Sequence, residues 1–297
     1  LLPPRAAMAE RAPAIGDLFC AGFIEHEAQP LHLEVIGSEQ EQEQRHHADG
    51  DLVFVNAGSA QGMQEGREFA VVRPRGRFKS PHSSKDGSLG VFTQVVGRVR
   101  LVEVKQNVSV ALVTGSCEAI LLGDVLRNIT PLQTPPDRSA LPLERFADPS
   151  GKATGRIVMA RDLREMISLN QVAYIDLGRE DNLKPGDLLT IYRPLGKGSV
   201  TDLDLDEITE NTRSGYESRR WRGGKFSNKA NRATNPHGTD PEDNEPIRSP
   251  EVKKRRPEMP RKVVGEVIVL RVEQRTATVL VTRVAQEVHT GDRVELQ

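Results

Sequence analysis

Several stretches of this chain carry residue types that do chemistry elsewhere. His46-His47 follows Glu39, Glu41 and Glu43, an assortment of metal-ligand types. Their spacing lacks the periodicity of a ligand set, so a solvated loop is the better account and no metal is expected. Ser150-Gly151-Lys152-Ala153 resembles the end of a phosphate-binding loop, but Phe146 stands where the first glycine belongs and no hydroxyl residue follows the lysine. Gly58-Ser59-Ala60-Gln61-Gly62 holds a serine between glycines without the spacing of a nucleophile elbow. Around the only tryptophan, Arg219, Arg220, Trp221, Arg222 and Lys225 form a basic stretch continued by Lys229 and Arg232. Such a segment binds RNA or acidic polymers by charge and stacking, although a charged loop is the plainer account. No nucleophile–base set or carboxylate pair emerges, and the chain is expected to be non-enzymatic with no cofactor.

The elements that position these residues come from a duplication. The segment Leu52–Pro74 recurs without a gap as Val172–Pro194, at an offset of 120. Identities fall at Gly58/Gly178, Gly66/Gly186 and Arg73-Pro74/Arg193-Pro194, and Gly62 faces Asn182. Glycine and asparagine tolerate the left-handed conformation that most residues avoid, so each copy reads as strand, tight turn, strand. A side chain at Gly58, Gly66, Gly178 or Gly186 is expected to strain such a turn. A second block, Val95–Asp124, matches Val263–Asp292 at an offset of 168. The larger offset means that the second copy carries an insertion between its two blocks. Strands are expected at Val95–Val104 and Val108–Thr114, joined by a turn at Lys105-Gln106-Asn107. Ala111 and Val113 take the buried phase, because Ala277, Val279 and Val281 repeat it. Arg73 and Arg193, each before a proline, are expected to make an ion pair or a carbonyl contact.

The fold class is therefore all-β, as two tandem small barrel-like domains. Residues 1–16 read as a tail, 17–129 as the first repeat, 130–150 with five prolines as a linker, and 151–297 as the second repeat. An apolar strand is expected over 17–25, another over 31–36, a loop over 75–90, and a helical turn or short strand over 163–169. From about 196 to 262 apolar residues thin out and flexibility is expected. Two copies in 297 residues, 37% of them hydrophobic, suit two domains of ordinary size. A net charge of −1 argues against attraction of the whole chain to nucleic acid or an anionic membrane. The chain begins at Leu1 and so reads as a processed product or a fragment; Ala7-Met8-Ala9 resembles a signal-peptidase site but follows no apolar run. Cys20 and Cys117 sit in apparent strands of the first repeat and have no counterpart in the second. They either pair in an oxidising compartment or serve as two small buried hydrophobes.

The glycine, Arg-Pro and closing Gly-Asp positions of both copies resemble the C-terminal domain of flagellar assembly protein T. They are also similar to envelope barrels found beside lysin-motif (LysM) peptidoglycan-binding modules in bacteria. The likeness covers Leu52–Ile129 and Val172–Gln297, with Arg67 in place of the usual aspartate, which Asp187, Asp124 and Asp292 keep. It implies a small barrel and a structural role in the periplasm or cell envelope, beside peptidoglycan or other envelope proteins. The rival expectation is a nucleic-acid-binding barrel that uses Arg219–Arg232.

Overall fold

The computed structural model describes residues 18–27, 32–85, 87–130, 132, 135–136, 138, 141–161, 163–195 and 257–297. The expected tail, the flexibility expected over most of 196–262, and the basic stretch Arg219, Arg220, Trp221, Arg222 and Lys225 lie outside the described residues.

The first repeat contains β1 (Phe23–Glu25), β2 (Val35–Ser38), β3 (Leu52–Val55), β4 (Glu68–Phe78), β5 (Gly90–Val104), β6 (Ser109–Ser116) and β7 (Val125–Asn128). The second contains β8 (Thr154–Ala160), β9 (Met166–Ile167), β10 (Val172–Ile175), β11 (Leu188–Pro194), β12 (Arg261–Val272), β13 (Ala277–Val284), β14 (Val288–His289) and β15 (Arg293–Leu296). Strands β8, β10, β13, β12, β11 and β15 close into a barrel. In the first repeat β2, β3, β6, β5, β4 and β7 follow the same order, and β1 is added on β5. There the end strands meet through a bridge between Glu34 and Val125. Val35 N donates to Asp124 O at 2.8 Å and Leu126 N to Leu33 O at 2.8 Å across that gap. Closure leaves few unpaired backbone groups at a sheet edge, which is what a short-stranded sheet needs.

The interiors match position by position. Val53, Val55, Phe69, Val71, Val99, Leu101, Ala111, Val113 and Leu126 fill the first. Ala173, Ile175, Leu189, Ile191, Val267, Val269, Val279, Val281 and Val294 fill the second. The alternation of inward and outward residues therefore survives in both copies, and Ala111 and Val113 take the buried phase. The second barrel is also covered outside. Val172, Ile268, Leu270 and Leu280 on its outer face pack against Leu18 and Ala21, upstream of β1.

Several boundaries differ from expectation. The expected strand over 17–25 is strand only at Phe23–Glu25, preceded by a turn in which Ala21 N donates to Leu18 O at 3.0 Å. The next strand falls at Val35–Ser38 rather than 31–36. The loop expected over 75–90 shrinks to 79–89, because β4 and β5 pair as far as Phe78 and Gly90. Residues 163–169 contain a short strand, β9, which pairs with β14. The proline-rich segment is no free linker: Arg145 O accepts from Val263 N at 2.8 Å, and Pro142 O from Arg283 Nη1 at 2.8 Å. Apart from Pro194 and Arg261, the described strands of both repeats fall in one compact unit.

Candidate functional site

The repeated glycines build one device twice. Gly58 and Gly178 each open a short 3-10 turn, Ser59–Gln61 and Arg179–Asp181. Each turn docks on the tip of a neighbouring hairpin, with Ser59 N donating to Lys105 O and Arg179 N to Glu273 O, both at 2.8 Å. Gly62 (φ 77°), Asn182 (φ 62°), Gly66 (φ 80°) and Gly186 (φ 90°) are left-handed, as expected from their residue types.

Gly58 and Gly178 are not. Their φ values of −135° and −143° are extended, so the expected handedness is corrected there. What excludes a side chain is space: a Cβ on Gly58 falls 2.6 Å from the carbonyl carbon of Gln106, and one on Gly178 falls 2.6 Å from that of Gln274. Both obstacles are backbone, which cannot swing aside. Gly58→Ala and Gly178→Ala are each expected to lower unfolding free energy by about 2–3 kcal/mol. Gly62→Asn should be close to neutral, since Asn182 already holds the matching conformation. Denaturant midpoints check the contrast, and equal losses at Gly58 and Gly62 would contradict it.

Arg73 makes both contacts expected of it. Its Nε and Nη2 donate to Asp124 Oδ1 and Oδ2, each at 2.7 Å, and Nη2 also donates to Ala119 O at 2.9 Å. Arg193 repeats the fork on Asp292 at 2.6 and 2.7 Å and donates to Glu287 O at 2.6 Å. The hydrogen bonds to Asp124 and Asp292 hold both guanidinium pKa values above the usual arginine range, against the opposing effect of burial. These pairs tie β4 to the approach of β7, and β11 to that of β15.

The two cysteines are disulfide-bonded, with Cα atoms 5.6 Å apart. Neither lies in a strand: Cys20 is in the turn before β1, and Cys117 follows the end of β6. The bond fastens the start of a segment that joins the repeats. β1 pairs antiparallel with β5, Phe23 opposite Thr93. The carbonyls of Ile24 and of Gly22 just before the strand also accept from the second barrel, Ile24 O from Thr276 Oγ1 at 2.6 Å and Gly22 O from Thr278 Oγ1 at 3.0 Å. Glu25, 5% exposed, takes a bidentate pair from Arg127 at 2.9 Å and a bond from Thr93 Oγ1 at 2.8 Å. Phe23 lies under the guanidinium of Arg271, 3.5 Å from its ring centre.

The 79–89 loop is a second fastening. The fully buried carboxylate of Asp176 accepts from Ser83 Oγ, Ser84 N and Ser84 Oγ at 2.8–3.0 Å. Lys85 Nζ reaches Glu180 at 2.5 Å and Asp181 at 2.7 Å. None of these seam residues stood out in the sequence. A signal was nevertheless present, because Asp176 and Asp181 replace Asn56 and Gln61 of the first copy.

Beside the disulfide lies a cleft of about 890 Å³. Its lining includes Arg75, Arg77, Arg161 and Glu118 around Phe92 and Tyr174, with Cys20 and Cys117 in the wall. Phe92 and Tyr174 meet edge to face at 5.5 Å. The sequence matches no family model and no curated protein. Among the described residues no cluster of three or more His, Cys, Asp or Glu side chains could hold a metal ion, and no helix is long and apolar enough to cross a membrane. What the arrangement offers is a closed barrel, a matching sheet whose ends meet at one bridge, and an aromatic-floored cleft lined by residues of both repeats.

Proposed function

We propose that this chain is a non-enzymatic scaffold of a bacterial cell envelope, working in the periplasm in contact with peptidoglycan or other envelope proteins. The single observation that carries the reading is the Cys20–Cys117 disulfide at the head of β1, which pairs with the first repeat and accepts a hydrogen bond from Thr276 of the second. Structural disulfides persist in oxidising compartments and are rare in the cytosol. A bond placed where it tethers β1 favours a protein whose task is to keep two barrels in fixed register outside the cytoplasm. The resemblance to envelope barrels points the same way.

The test is a fractionation of the native host followed by thiol labelling of the unfolded, unreduced chain. Recovery in the periplasmic or envelope fraction with no labelled thiol is expected. Recovery in the cytosol with two labelled thiols would overturn the reading. So would tight binding to a generic RNA that falls steeply with salt and is lost on deleting residues 219–232, without envelope localisation.

A further inference from the structure

Strand β4 is longer than the barrel it belongs to. It pairs with β7 only over Phe69–Val72, yet runs beside β5 as far as Phe78, with Arg75 bulged out between Pro74 and Gly76. From Arg75 to Phe78 its other edge has no neighbouring strand among the described residues. That edge forms part of the cleft wall. Beyond the bulge, Gly76–Phe78 leave about 10 Å of open edge, enough to hydrogen-bond a short extended segment.

Charge and shape narrow the occupant. Among the described residues the charged side chains of the lining include Arg75, Arg77 and Glu118, and the two arginines outnumber the one carboxylate. Glu118 is engaged by Arg75 Nη2 at 3.3 Å and by Gln94, whereas Arg77 is exposed. Behind them lie Phe92, Tyr174 and Met159, the last two buried.

At the rim stands Leu163, 77% exposed and left-handed at φ 56°. A leucine in that conformation carries backbone strain, and among the described residues nothing covers most of its apolar side chain. Strain and exposure together at a cleft mouth mark an apolar contact kept for a partner.

We propose that this cleft docks an extended acidic peptide segment of a partner protein. Its backbone adds to the open edge of β4 at Gly76–Phe78. Its carboxylates meet Arg75 and Arg77, and its apolar side chains pack beneath Leu163. This deepens the scaffold reading by giving the partner's chemistry and rests on it only for the compartment. Binding is measured on the purified oxidised chain, so it can fail while localisation and thiol state hold, and the reverse.

The experiment is fluorescence anisotropy of the full chain with three labelled probes. These are a ten-residue peptide alternating glutamate and valine, its lysine–valine counterpart, and a ten-nucleotide single-stranded RNA. The acidic peptide should bind, more weakly as salt rises, and the lysine peptide should not. Arg77→Glu is expected to weaken binding about tenfold or more by reversing a charge at the contact. Leu163→Gly, which suits the left-handed backbone and removes the apolar anchor, should weaken it several-fold while the thermal melt stays at or above wild type. No binding of the acidic peptide, equal binding of the lysine peptide, tighter binding of the RNA, or two folded variants with wild-type affinity would each overturn the proposal.

Discussion

Replacing Cys20 and Cys117 together by serine is expected to lower unfolding free energy by about 4 kcal/mol. The cysteines are 97 residues apart, and closing a loop of that length restricts the unfolded chain by just under about 5 kcal/mol in the chain-entropy model. The loss should also have a location. β1 is held by one partner strand and by threonine hydroxyls of the other barrel, with the disulfide as its upstream anchor. Hydrogen exchange in the double variant should therefore rise first at Phe23–Glu25, while β12 and β13 keep their protection. A loss below about 1 kcal/mol, or uniform deprotection of both barrels, would show that the bond does not secure this strand.

Removing the Glu266 carboxylate should cost nearly as much. Glu266 is fully buried between β13, the 130–150 segment and the C-terminal residue. It accepts from Arg138 Nε at 2.9 Å, Arg283 Nε at 3.0 Å, Thr282 Oγ1 at 3.0 Å and Gln297 Nε2 at 3.0 Å, and Arg283 Nη2 completes the set. Burial by itself raises a carboxyl pKa; here the hydrogen bonds from Arg283, Arg138 and Gln297 outweigh it and bring the group to about 2 from an ordinary 4.5. Glu266→Ala leaves two guanidinium groups without their counter-ion, and a loss of about 3 kcal/mol is expected. Arg138 stays one-quarter exposed, which keeps the loss at the low end for buried pairs.

The pH dependence follows from the sign of the shift. The folded pKa lies below the unfolded one, so the carboxylate's contribution is fully present above about 4.5. It is lost as pH falls through about 2. Thermal melts of wild type and Glu266→Ala should be well separated at pH 6 and should converge towards pH 2.5. A gap independent of pH would mean that packing, not charge, holds this site.

The duplication made the barrels legible. Val53 and Ala173, Val99 and Val267, Val113 and Val281 occupy the same inward positions in the two copies, and the repeat chose the buried phase of β6 where one copy alone was ambiguous. Left-handed turns at Gly62, Gly66, Asn182 and Gly186 follow from residue type, since few others adopt positive φ at low cost. Burial on a two-residue period and backbone handedness are local properties, and local properties can be read along a chain.

What only tertiary structure decided depends on atoms far apart in sequence. Gly58 is required by the backbone of Gln106 on another hairpin, not by its own dihedral angles. Residues 75–78 look like loop because Pro74, Arg75, Gly76 and Arg77 are poor strand formers, yet pairing with β5 draws them into β4. The cysteines' pairing required the turn before β1 to meet the end of β6. The seam between the repeats and the grip on the connecting segment are written where the copies disagree: Asp176 for Asn56 and Asp181 for Gln61 at the seam, Glu266 for Arg98 at the segment. A repeat preserves what each barrel needs to close on itself. A residue that grips the other barrel or the connecting segment answers to a neighbour its twin does not have, and only the folded chain supplies that neighbour.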